Sequence, residues 1–228
     1  FFMPFLVLAA RKMIHFIKLL GIYRRVSYRP AWSRSNMSPE EIAAHLRDAA
    51  GRHQLQDGRH SKAIERLHWQ IYMSLQHLRR RLSRTPAGII GLVPASQWFF
   101  DNYNLFYKEH MKLQEYGNLR KFRKMPVLTQ DSGYSCPRVY MVARELVGCS
   151  GYHINEKNVL DMLEQYQTVK PLLARELWSL PEMLVLCLME KMIDESRQVI
   201  EIIRVKQFAD RVVNRMSPKI GQKYDDMA

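Results

Sequence analysis

The run Ser61-Lys-Ala-Ile64-Glu-Arg-Leu67-His-Trp-Gln-Ile71-Tyr-Met-Ser-Leu75-Gln-His-Leu78-Arg-Arg-Arg-Leu82 sets an apolar residue at every third or fourth position. An α-helix turns once in about 3.6 residues, so Ile64, Leu67, Ile71, Leu75, Leu78 and Leu82 fall on one stripe. Ser61 stands where a side-chain oxygen can cap the first free N–H groups. Arg79, Arg80, Arg81 and Arg84 crowd the last turns, where the carboxyl end of the helix dipole favours cations, and they form a candidate basic patch. The same helical spacing recurs nearly throughout the chain, and no stretch alternates strictly enough to require a strand. The expected fold is all-α, an irregular multi-helix bundle with a basic amino-terminal part.

Upstream, Phe5 to Leu20 is amphipathic, with Met13, Phe16, Ile17 and Leu20 on one side and Arg11, Lys12 and Lys18 on another. Gly21 to Met37 has no period and reads as a linker. Ser38-Pro39-Glu40-Glu41 combines a serine cap, a proline at the first helical position and a glutamate that can reach back to the cap. A short helix to about Ala50 follows, and Gly51 with Asp57-Gly58 breaks it.

Downstream, Thr85 to Gly91 carries Pro86, Gly88 and Gly91 and separates a basic part from a balanced one. Pro94 opens a helix to about Gln114 with Trp98, Phe99, Tyr103, Phe106 and Tyr107 as an aromatic core face. Residues 117–133 read as a polar connection. Pro137 begins a helix to about Val147, which Gly148 and Gly151 end. Asn155 caps the next, with Val159, Leu160, Leu163 and Tyr166 inward. Leu172 to about Met216 forms the last, apolar all round from Met183 to Met189, with a bend or division at Pro181. The expected organisation is a helix and linker over 1–37, a basic helical part over 38–90, a main helical core over 91–216 and a polar tail over 217–228.

A chain of 228 residues, 47% hydrophobic and 25% charged, can bury a proper core without staples. Its net charge of +13 is uneven: residues 1–90 hold 16 Lys/Arg against 5 Asp/Glu, and the remainder 19 against 17. A solvated basic face accounts for this most simply. An anionic membrane surface is the second candidate partner, and nucleic acid is disfavoured. Cys136, Cys149 and Cys187 make no C-x-x-C pair and leave one thiol over, which fits a reducing, cytoplasmic setting rather than a disulfide framework. The apolar run Phe1 to Ala10 precedes its basic residues, the wrong order for a signal peptide, and is too short to span a bilayer. A chain that opens at Phe1 is expected to be a fragment of a longer one.

Chemistry is sparse at the level of motifs. The adjacent aspartates Asp225-Asp226 lie in the polar tail, a poor place for the rigid metal site of a glycosyl transferase. Asp101, Glu145, Glu176 and Glu182 are candidate acids by position, each expected to cap a helix or pair with Arg138, Arg144 or Arg175. The histidines, among them His45, His53, His60, His68 and His77, show no H-E-x-x-H and no carboxylate at metal spacing. Gly88-Ile-Ile-Gly91 lacks the Lys-Ser/Thr of a phosphate loop, and there is no G-x-S-x-G elbow. No catalytic residue, metal or cofactor is expected.

Three segments carry a resemblance: Pro94-Ala-Ser-Gln-Trp98-Phe-Phe-Asp101-Asn102-Tyr103, Cys136-Pro137-Arg138-Val139-Tyr140, and Pro171-Leu172 through Glu176-Leu177-Trp178, with Tyr166-Gln167 between the last two. In this order and spacing they resemble the amino-terminal helical region of the cyclic β-1,2-glucan synthases, over about residues 55 to 205. Cys136, Leu173 and Arg175 depart from the family's tyrosine, threonine and glycine. The resemblance implies a scaffold preceding a membrane-embedded glycosyltransferase that uses UDP-glucose, on the cytoplasmic face of the inner membrane. The partner it implies is the glycosyltransferase domain of the same chain. Trp98, Asp101, Asn102, Arg138, Tyr140, Glu176 and Trp178 are then expected as inter-helix polar pairs and aromatic anchors, with both tryptophans buried.

Overall fold

The structure, a computed structural model, describes residues 37–56, 61–91, 93–115, 119–129, 135–151 and 154–225, with side chains as far as Val213. The expected helix Phe5 to Leu20 and nearly all of the linker to Met37 lie outside the described residues. The fold is all-α apart from one small sheet: α1 (Pro39–Arg52), β1 (Leu55–Gln56), α2 (Ala63–Ser83), α3 (Ala87–Gly91), α4 (Pro94–Glu115), a 3-10 turn (Leu119–Lys124), β2 (Val127–Thr129), β3 (Ser135–Pro137), α5 (Arg138–Cys149), α6 (Glu156–Gln167) and α7 (Ala174–Asp225).

The helix starts follow from their caps. At α1 the Ser38 backbone N–H donates to Glu41 Oε2 at 2.7 Å and the Glu41 N–H to Ser38 Oγ at 3.3 Å, a reciprocal capping box with Pro39 at the first position. The helix runs through Gly51 to Arg52, two residues past the expected end at Ala50. Ser61 Oγ accepts from the Ala63 N–H at 3.1 Å and donates to the Ser135 carbonyl at 2.6 Å. Asn155 Oδ1 accepts from the Asn158 N–H at 2.9 Å at the head of α6. Gly151, just past α5, has φ 57°, a left-handed conformation that glycine reaches without a Cβ clash.

Contacts divide the chain into two compact units, and the division falls inside α2 and α7. The first unit holds residues up to 70 together with 118–188. Its most enclosed element is α5, of which every residue except Glu145 is buried. Leu46, Ala49 and Ala50 of α1 and Met162, Leu163 and Tyr166 of α6 are buried, and α1 packs on α6. Leu160, expected inward, is exposed. An antiparallel sheet in the order β1-β2-β3 pairs Leu55 with Leu128, Val127 with Pro137 and Leu128 with Cys136. The Cys136-Pro137 segment is therefore an edge strand, where the N–H that proline lacks is not missed. These strands correct the expectation of no strand, and β2 occupies part of the expected polar connection.

The second unit, residues 71–117 and 189 onward, buries Leu78 and Leu82 of α2, Val93, Phe99 of α4, and Val199 and Ile203 of α7 in one cluster. Ile89 of α3 packs against it, so part of the stretch read as a break is a short helix. Ile64, Leu67, Ile71, Leu75, Leu78 and Leu82 are all buried, as the periodicity of α2 requires. Pro181 does not divide the last helix: α7 is continuous to Asp225, through Ser217-Pro218 and into the expected tail. Among the described residues no helix is long and apolar enough to cross a membrane.

Candidate functional site

Polar side chains from four elements converge inside the first unit. Arg138, Glu145 and Cys149 stand seven and four residues apart on α5, which sets them on one side of that helix. The edge strand holds Pro137 extended at φ −55°, ψ 131°, and the Arg138 N–H donates to the Pro126 carbonyl at 2.8 Å, so the arginine enters the interior as α5 begins. It is 2% exposed, and Glu176, in the first turn of α7, is 0% exposed. Arg138 Nε donates to Glu176 Oε1 at 2.9 Å and Nη2 donates to Oε2, while Nη2 also reaches the Pro171 carbonyl at 3.2 Å. Glu176 Oε2 accepts the Leu173 N–H at 2.9 Å as well, so one carboxylate pairs the arginine and caps α7.

Beside this pair, His45 Nε2 of α1 lies 2.7 Å from Glu145 Oε2. Cys149, one turn along from Glu145, brings its thiol close to both: the three donor atoms lie within 4.8 Å of one another. His53, at the end of α1, has Nδ1 at 2.8 Å from the Tyr166 hydroxyl. Burial drives the His53 pKa down to about 4; the nearby Glu145 opposes this, and Arg52, Arg138 and Lys170 reinforce it. Burial raises the Tyr166 phenol well above its usual range, against the pull of Arg138. A phenol that keeps its proton donates to a neutral imidazole, which assigns the Nδ1 acceptor form to His53.

The Arg138 and Glu176 motif positions are thus brought together as an inter-helix pair, as expected, and Tyr140 is a buried anchor whose carbonyl faces Cys187 Sγ at 3.9 Å. Other positions need correction. Glu145 pairs with His45 and Glu182 with Lys121, each at 2.7 Å. Asp101 accepts from Gln97 and Asn102 donates to the Trp98 carbonyl, both within one turn of α4 rather than between helices. Trp98 is 53% exposed and Trp178 is 86% exposed, so neither is a buried anchor. Positions 96, 99, 103, 110 and 113 turn inward on α4, and Trp98 lies off that stripe, touching Phe99 and Phe106 at ring distances of 5.3 and 5.5 Å. Tyr103 of the same motif is buried, with the Arg79 guanidinium 5.3 Å from its ring.

The basic patch stays in solvent: Arg79, Arg80, Arg81 and Arg84 are all exposed. Arg81 lines an open groove of about 810 Å³ with Ile89, Arg204, Phe208 and Arg211, and Glu201 and Asp210 temper its charge.

Sequence reasoning passed over His45, His53 and Cys149 as partners. A signal for Cys149 was present, since Arg138, Glu145 and Cys149 recur at helical spacing on one side of α5. Nothing local pointed to His45, which meets Glu145 across 100 positions of chain. No protein-family model and no curated protein matches this sequence.

Proposed function

We propose that the chain is a non-catalytic α-helical scaffold of a cyclic β-1,2-glucan synthase-like glycosyltransferase, serving carbohydrate metabolism from the cytoplasmic face of the inner membrane. The observation that supports this reading is the Arg138–Glu176 pair. Two segments that carry the resemblance supply its halves, and each half is committed to the other and to backbone groups, as a structural fastening rather than a reacting group. Close to that fastening, Leu173 and Trp178 expose apolar surface at the head of α7, a surface suited to the glycosyltransferase domain of the same chain. The coding sequence that flanks this region tests the reading directly: a membrane glycosyltransferase domain in the same frame supports it, and its absence removes it. In such a full chain Trp178→Glu is expected to lower β-1,2-glucan synthesis while leaving helicity intact.

A second reading is favoured by the exposure of Arg79, Arg80, Arg81 and Arg84. As a free-standing basic module the chain would bind nucleic acid or anionic membrane, with affinity falling steeply as salt rises. Replacing the four arginines by alanine would flatten that slope; tight, sequence-selective DNA binding would favour this reading over the scaffold.

A further inference from the structure

We propose that His45, Glu145 and Cys149 form a binding site for a divalent transition-metal ion of the zinc class. The expectation of no metal site rested on linear spacing, in which His45 has no carboxylate near it. Folding supplies one, together with a thiol, and brings a nitrogen, an oxygen and a sulfur donor within 4.8 Å of one another.

The donor chemistry selects the ion. A thiolate and an imidazole beside one carboxylate suit zinc or cobalt, whereas magnesium and calcium want oxygen ligands throughout. With metal–ligand bonds of about 2.0 to 2.3 Å, the donors of a tetrahedral site lie about 3.3 to 3.7 Å apart. The trio therefore needs to close by only about 1 Å, with the His45–Glu145 contact opening as the ion enters between them. Charge balances as well. On binding, the Cys149 thiol proton passes to solvent and His45 presents an unprotonated ring nitrogen, and the thiolate and carboxylate then cancel both positive charges of the ion. A neutral centre is what a largely buried place can hold at least cost.

The frame is rigid. Glu145 and Cys149 sit one turn apart on α5, the most enclosed helix of its unit, and His45 projects from α1, which is held by its capping box and its packing on α6. Of the three, Cys149 also forms part of the wall of a cleft of about 650 Å³ between the start of α1, Ser150 and Gly151 after α5, and Asn158 and Met162 of α6. Three protein donors leave one position of a tetrahedral ion for water or a further ligand.

The test uses the whole chain. Protein equilibrated with excess zinc and then desalted against a mild chelator is expected to retain about one zinc per chain by elemental analysis. Cobalt in place of zinc is expected to give a thiolate-to-metal charge-transfer band. Cys149→Ser and, independently, His45→Ala should reduce the retained zinc to a minor fraction, and Cys149→Ser should abolish the cobalt band. Circular dichroism on each variant, with Cys149→Ala as a second thiol deletion, separates lost ligation from lost folding. The proposal is overturned if the unaltered chain retains no zinc and gives no band, readouts that need no variant. It is equally overturned if zinc and band persist in the folded double variant His45→Ala/Cys149→Ser, which would place the ion on other residues.

Discussion

Arg138 and Glu176, 38 positions apart, meet in a two-pronged ion pair with almost no solvent contact, Nε on Oε1 at 2.9 Å and Nη2 on Oε2. Taking two charges out of water is costly, and their attraction offsets that only while both remain. Arg138→Met alone is expected to cost about 3 to 5 kcal/mol, because it strands the Glu176 carboxylate in the interior. The double variant Arg138→Met/Glu176→Leu should recover much of that loss. Denaturant unfolding of the set checks this, and strict additivity of the two single losses would show that the pair is not coupled.

His53 makes stability depend on pH with a definite sign. Its pKa in the folded chain is about 4, against 6.5 ordinarily, so the folded state binds fewer protons than the unfolded one. The stabilisation is complete above about pH 6.5 and is lost as pH falls through the window down to about 4, since the unfolded state takes up the proton first. The difference between the unaltered chain and His53→Gln should shrink by on the order of 2 to 3 kcal/mol across that window. Glu145, Arg52, Arg138 and Lys170 act on this imidazole, and the difference between variants isolates its own share. Parallel stability curves for the two proteins between pH 7 and 4 would contradict it.

The two tryptophans should separate in thermal melting. Trp178, almost fully in solvent, is expected to tolerate alanine with a change within about 0.5 kcal/mol. Trp98 lies against Phe99 and Phe106 with about half its surface covered, and its replacement is expected to cost about 1 kcal/mol through lost aromatic contact. A large loss at Trp178 would mean that its ring is buried in the folded chain in solution.

Leu173 precedes α7 and offers no side-chain oxygen to its first turn, although its own N–H is held by Glu176. Leu173→Thr adds the missing half of the capping box and gives up a side chain that is already half in solvent. It is expected to stabilise the chain by about 0.5 to 1 kcal/mol, read as a raised denaturation midpoint. A lower midpoint would show that the exposed leucine packs on something worth more than a cap.

What the sequence determined by itself is what acts over one or two turns of helix. The stripe Ile64 to Leu82, the Ser38 capping box and the Asn155 cap depend on residues three or four apart, and all three are present. The Arg138–Glu176 pair was within reach too, because a buried arginine on an apolar helix needs a carboxylate and few were candidates. Only the tertiary structure decided the rest. Strands of two or three residues are too short to display alternation, and β1, β2 and β3 exist because backbone groups from distant segments pair. Trp178 is exposed because no described element covers its side of α7, which composition and period do not reveal. His45 reaches Glu145 and Cys149 only because α1 folds back beside α5 across 100 positions of chain. Periodicity records which side of a helix is apolar; which helix lies against that side, and which polar atoms then meet, is fixed by packing among all of them.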